Sequence, residues 1–165
     1  MDILITNSGL TLPSGEVVRC AIGRGGINLH KQEGDGVSPI GDWEMRYILY
    51  RPDKMTAPLS GLPIFPISKD DGWCDASADP NYNKAIKLPY DASHEIMWRD
   101  DNLYDVVVVL GHNDSPPAAG KGSAIFFHVA KADYGPTEGC IALPIETLLD
   151  ILKDCKIGDK LSIRP

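Results

Sequence analysis

The sequence predicts a mainly β protein with one short helix in its C-terminal half. Short β-branched and aromatic runs recur along the chain, most clearly DVVVVL at 105–110. Clusters of Gly, Pro and Asp separate them. One segment alone, 144–153, has an apolar face at helical spacing, made by Leu148, Leu149, Ile151 and Leu152. At 165 residues the chain suits one core, so a single domain over 1–165 is expected.

The elements follow in order. Residues 2–6 and 16–22 cluster β-branched side chains around Leu12-Pro13-Ser14-Gly15, which predicts a hairpin. Residues 43–50 are the next strand. The run 105–110 is nearly continuous in Val, so it predicts a central strand buried on both faces. Residues 123–129 add another. Pro144 suits a first helical turn, and Lys153 and Lys156 sit where cations complement the helix dipole. Residues 160–163 close the chain as a last strand. The Pro/Gly/Asp-rich stretches 51–69 and 70–89 are expected as long loops, and connections of that length are usually functional.

Composition narrows the class. The chain is 43% hydrophobic and 24% charged, an ordinary globular balance. A net charge of −7 with no Lys/Arg-rich run excludes a nucleic-acid backbone as the main partner. No run of about eighteen apolar residues occurs, so no membrane partner is expected. The start, MDILITNSGLTLPSGE, shows no basic region followed by an apolar one. Cys20, Cys74, Cys140 and Cys155 are far apart without a CxxC pair, which fits reduced thiols. Together these predict a cytoplasmic protein. His30, His94, His112 and His128 are scattered with no HExxH, so no metal is expected, a site of His112, His128 and a carboxylate being the alternative.

Chemistry concentrates in 124–143, AIFFHVAKADYGPTEGCIAL. His128 ends an apolar run, and Cys140 stands twelve positions later between Gly139 and Ile141. A thiol becomes a nucleophile as thiolate, and a nearby imidazole is the usual activator. A buried, inert Cys140 is the alternative on spacing alone. Three further constellations carry open alternatives. Residues 34–43 (GDGVSPIGDW) form a tight Gly-rich turn containing Ser38, without the Gly-Lys-Ser/Thr ending of a phosphate loop. His112, after the central strand, either faces a site or belongs to a turn with Asn113 and Asp114. Trp73, in a long loop, either walls a pocket or anchors the loop to the core.

Three elements, in this order, resemble the L,D-transpeptidase (YkuD-like) catalytic domain. They are Ser38-Pro39-Ile40-Gly41-Asp42-Trp43, Phe126-Phe127-His128, and Thr137-Glu138-Gly139-Cys140-Ile141. The resemblance spans most of the chain. It implies a β-sandwich or barrel of mixed strands with long active-site loops, with Cys140 as nucleophile and His128 as base. It also implies a backbone group as third member, assigned to Gly139 with Glu138 as the alternative, and an oxyanion held by amides around Gly139, Cys140 and Ile141. The chain departs from the family pattern at Glu138, where histidine is common, and at Val129 and Ala142. Ser38, Trp73, His112, Thr137 and Glu138 are the candidate substrate contacts, and Arg24, Arg99 and Lys121 the candidate anion contacts.

The implied chemistry is acyl transfer on peptidoglycan stem peptides or muropeptides, through a thioester on Cys140 after D-alanine leaves, and it calls for no cofactor. A cytoplasmic chain meets soluble recycled fragments, so water is the expected acceptor. That makes the expected activity an L,D-carboxypeptidase that turns tetrapeptide into tripeptide. Cross-linking L,D-transpeptidation is the alternative, and a non-catalytic muropeptide-binding module is another.

Overall fold

Strand β11 (Val106–Leu110) organises the protein. Every one of its side chains is buried. Val106, Val108 and Leu110 enter one apolar cluster, and Val107 and Val109 enter another on the opposite face. Alternation along a strand requires this division. Each such burial contributes about 1.5–3 kcal/mol. The computed structural model describes residues 1–165, apart from the Asp2 side chain.

β11 is flanked by β6 (Gly41–Tyr50) and β12 (Phe126–Val129), both antiparallel to it. The main sheet also holds β1 (Asp2–Thr6), β2 (Gly9–Thr11), β3 (Val17–Val18), β13 (Ile141–Leu143) and β14 (Lys160–Ile163). Its order is β13-β12-β11-β6-β14-β1-β2-β3, with β7 (Ile64–Pro66) beside the end of β6. Parallel pairs (β12–β13, β1–β14, β6–β7) mix with antiparallel ones, giving a curled mixed sheet. The mainly β class with one helix is therefore what forms.

The helix α1 (Ile145–Asp154) starts one residue later than expected. Pro144 has ψ 143°, so it stands outside the helix as its cap. Leu148, Ile151 and Leu152 bury against the first cluster, on the sheet face away from the site.

The N-terminal hairpin differs from expectation. β1 pairs with β2 across Asn7-Ser8, and the predicted turn Leu12-Pro13-Ser14-Gly15 joins β2 to β3 instead. Gly9 makes this possible. Its φ is +134°, and a Cβ there would lie 2.5 Å from the Val18 carbonyl oxygen. Residues 19–24 leave the sheet but stay tied to the β13 region through bridges Ala21–Ala142 and Gly23–Thr137.

The predicted long loops carry short strands. Besides β7, they contain β8 (Asp71–Cys74) and β9 (Ala85–Lys87), which join β10 (His94–Ile96) in a separate three-stranded sheet, ordered β10-β8-β9. A small parallel pair, β4 (Ile27–Asn28) and β5 (Ser38–Pro39), carries the Gly-rich segment. Trp73 of β8 and Met97, just after β10, join the second apolar cluster, as does Tyr104 ahead of β11. Among the described residues, no helix is long and apolar enough to cross a membrane.

Candidate active site

Cys140 and His128 owe their meeting to strand register. β12 and β13 run parallel, with Phe127 opposite Ile141 and His128 opposite Ala142. Alternation then sends Phe126, His128, Cys140 and Ala142 to one face. His128 is thus a diagonal neighbour of Cys140, about 5 Å across and about 7 Å along the strands. Cys140, His128 and Ala142 all line one cleft of about 570 Å³.

The thiol is held in place. Sγ donates to the Ala124 carbonyl at 3.1 Å and accepts from the Phe126 amide at 3.3 Å. Ala124 sits at φ +52°, a conformation rare for a residue with a Cβ. The buried Asn83 side chain fixes it, its Oδ1 accepting from the Ala124 amide at 3.0 Å and from Trp73 Nε1 at 3.0 Å. Burial pushes the Cys140 thiol up to about 12, Glu95 and Glu138 add to this, and the Phe126 amide and Lys31 oppose it.

The imidazole is equally constrained. His128 Nδ1–H donates to the Val129 carbonyl at 2.8 Å, and the Tyr104 ring packs edge-on at 5.3 Å. Burial brings its pKa down to about 4, against the carbonyls of Val129 and Leu103. No hydrogen bond joins His128 to Cys140, so the resting pair is a neutral thiol beside a neutral base. Fixing Nδ1 leaves Nε2 as the basic nitrogen.

The expected third member is corrected. The Gly139 carbonyl accepts from Ser38 Oγ at 2.9 Å, and the Gly139 amide donates to Thr137 Oγ1 at 3.1 Å. The His128 ring bonds to neither, and the Gly139 amide is taken up by Thr137. Val129 orients the ring instead. Ile141 has no exposed surface and lies in the ladder, so its amide does not face the cleft. Of the three residues expected to supply oxyanion donors, Cys140 alone lines the cleft.

The candidate substrate contacts divide. Thr137 and Glu138 line the cleft. Thr137 Oγ1 donates to the Cys140 carbonyl at 2.6 Å, and exposed Glu138 pairs with Arg24 at 2.8 Å. Ser38, Trp73 and His112 do not line it. Ser38 is fully buried and links the Gly23 amide to the Gly139 carbonyl, so it positions the nucleophile loop. Trp73 anchors its strand against Phe126, ring centroids 5.0 Å apart. His112 packs edge-on to Trp43 at 4.7 Å. Of the anion contacts, Arg99 lines the cleft, Arg24 stands at its rim, and Lys121 is elsewhere.

Sequence reasoning missed Lys31, Glu95, Tyr104 and Lys131, all of which line the cleft. None lies in a motif. Alternation of Glu95, Met97 and Arg99 next to aromatic Trp98 was the available signal for that wall. Among the described residues, no three His, Cys, Asp or Glu side chains converge as metal ligands.

Glu95 accepts from the Tyr104 hydroxyl at 3.1 Å. Burial pushes its pKa up to about 7, with the charge of Asp75 adding to the effect. A carboxyl whose folded pKa is raised binds its proton more tightly in the fold. Its stabilising contribution is therefore present below about pH 4.5 and is lost as pH rises through about 7. Glu95→Gln should stabilise the fold by about 1–3 kcal/mol near pH 8 and have little effect near pH 4. Urea denaturation at both pH values checks this; equal changes at both would refute it.

A cysteine and an imidazole on paired strands at the floor of a cleft define the class of cysteine acyl-transfer enzymes. The chain belongs to the family of the L,D-transpeptidase catalytic domain (YkuD), whose model matches residues 4–163. Members of that family are cysteine acyl-transferases acting on peptidoglycan peptides. No curated protein and no solved structure matches the chain.

Proposed function

We propose that this protein is a cysteine-dependent L,D-carboxypeptidase that removes terminal D-alanine from peptidoglycan tetrapeptides in the cytoplasm. The observation that carries it is the shared face of Cys140 and His128 in a single cleft. His128 Nε2 takes the Sγ proton as Cys140 attacks the carbonyl before D-alanine. The carbonyl–nitrogen bond breaks, and the amine of D-alanine leaves with the proton from His128. Water, losing a proton to His128, then opens the thioester, and Sγ recovers its hydrogen. The Cys140 amide is the donor assigned to the developing oxyanion.

Charge favours water as acceptor. The lining carries carboxylates at Glu33, Asp75, Glu95, Asp101 and Glu138 against cations at Lys31, Arg99 and Lys131. The donor's own carboxylates occupy Arg99 and Lys131, so a second anionic peptide meets an acidic wall. Transpeptidation is favoured by a different observation. A neighbouring groove of about 340 Å³, lined by Arg19 and Arg24, meets the cleft at Pro136 and could seat a second peptide.

Incubation with soluble tetrapeptide, followed by mass spectrometry, separates these. The expected products are tripeptide and D-alanine in equal amounts, with little cross-linked dimer. Dimer as the main product would replace hydrolysis with transpeptidation, and no product with an intact thiol would leave a binding module.

A further inference from the structure

Lys31 is a buried cation at the nucleophile, and the chemistry above does not use it. Its side chain is 6% exposed, yet it lines the cleft with Cys140. A buried ammonium is costly unless it is matched. Asp35 accepts from Nζ at 2.6 Å, and no other acceptor holds Lys31 among the described residues. An ammonium has three N–H groups to place, so donors are left over at the cleft floor.

The ammonium lies against Gly139, the residue before the nucleophile. A Cβ on residue 139 would stand 3.4 Å from Lys31 Nζ and 2.7 Å from the Val37 carbonyl oxygen. The first is van der Waals contact, which seats Nζ against residue 139 beside Cys140, and the second is a clash, which excludes a side chain there. The glycine's φ of +131° is a second reason for its identity.

The other titratable groups facing the thiol are His128, Tyr104, Glu95 and Glu138. The imidazole is neutral, and the carboxyl groups oppose a thiolate. Lys31 is the cation among the influences on Cys140 that favours it. On its other side Lys31 faces Asp35 and His112, both near Gly122 or the 31–37 turn.

We propose that Lys31 is the electrostatic activator of Cys140: its ammonium, seated against Gly139, stabilises negative charge on Sγ and on the tetrahedral oxyanion formed there. This rests on Cys140 being the nucleophile. Asp35 sets the strength of the effect by partly neutralising Lys31. Two substitutions must therefore act with opposite signs. Lys31→Met removes the cation, and Asp35→Asn releases it.

The test needs no substrate. The folded full chain is alkylated with iodoacetamide near pH 8, and mass spectrometry follows Cys140, with buried Cys155 as internal reference for general opening. Lys31→Met should slow Cys140 by about tenfold, Lys31→Arg should restore most of the rate, and Asp35→Asn should accelerate it several-fold. A purely structural lysine would move both cysteines together, or move Cys140 in the same direction in both variants, and either result overturns the proposal. So does an unchanged rate in Lys31→Met. If Lys31→Met does not fold, the sign of the Asp35→Asn effect decides: acceleration of Cys140 over Cys155 supports the role, and no selective acceleration overturns it. Failure of the nucleophile assignment shows separately, as turnover that survives Cys140→Ser whatever these rates are.

Discussion

Cys140→Ser should abolish D-alanine release, by about 10³-fold or more, while leaving the fold intact. The serine hydroxyl is nearly isosteric and can still donate to the Ala124 carbonyl and accept from the Phe126 amide, as Sγ does. What it cannot do is surrender its proton to a base as weak as His128, whose pKa burial holds near 4. Even the thiol sits at about 12, so the margin for a still weaker acid is nil. The other three cysteines serve as controls. Cys155 is buried in the helix-side core with its Sγ near Met45, and Cys20 borders the second groove. Cys20→Ser, Cys74→Ser and Cys155→Ser should keep turnover, with some loss of stability where the position is buried. Turnover that survives Cys140→Ser but not one of these would move the nucleophile elsewhere.

His128→Ala should cost about 10²–10⁴ in rate, the usual worth of a positioned base. The pH profile carries the sharper statement. A base works only when neutral, so activity falls as pH drops through the pKa of His128. Burial has moved that value from 6.5 to about 4, so the acid limb should lie near pH 4 and the wild-type rate should not decline near pH 6 to 7. In His128→Ala the residual rate should lose this limb. His112→Ala should change the rate little, because His112 packs on Trp43 and does not line the cleft. An acid limb near 6.5, or equal losses at both histidines, would deny His128 this role, and inhibition by a chelator would point to metal chemistry.

Local patterns predicted the parts of the fold with strong periodicity. The Val run at β11 and the apolar face of α1 are read directly from residue order, because a two-sided core and a one-sided helix leave distinct patterns. The sheet β10-β8-β9 left no such pattern. Its strands are three or four residues long and lie among Pro, Gly and Asp, where tertiary packing of Trp73 and Met97 does the work of propensity. The site divides the same way. Cys140, His128, Thr137 and Glu138 stand within one segment and were legible together. Lys31, Glu95 and Tyr104 reach the cleft from separate loops and strands, so nothing in their spacing joins them to it. Ser38 and Gly139 were legible as motif members but not in their roles. Only the folded arrangement reveals that the serine holds the glycine's carbonyl.

The register of β12 against β13 also separates reaction geometry from chain length. Parallel strands usually need a long crossover, often helical. Here residues 130–140 make the crossing without a helix. Both ends of this connection are pinned. Val129 lies in the ladder, and Thr137 is bonded to Ile22 and Arg24 by their backbones. Residues 131–136 between them are a spacer, turning on Asp133 and Gly135, from which Lys131, Gly135 and Pro136 line the cleft. Base-to-nucleophile distance is therefore indifferent to how many residues the spacer contains. Insertions or deletions there can remodel the mouth of the cleft, and with it the peptides admitted, while the reacting atoms stay where the ladder puts them.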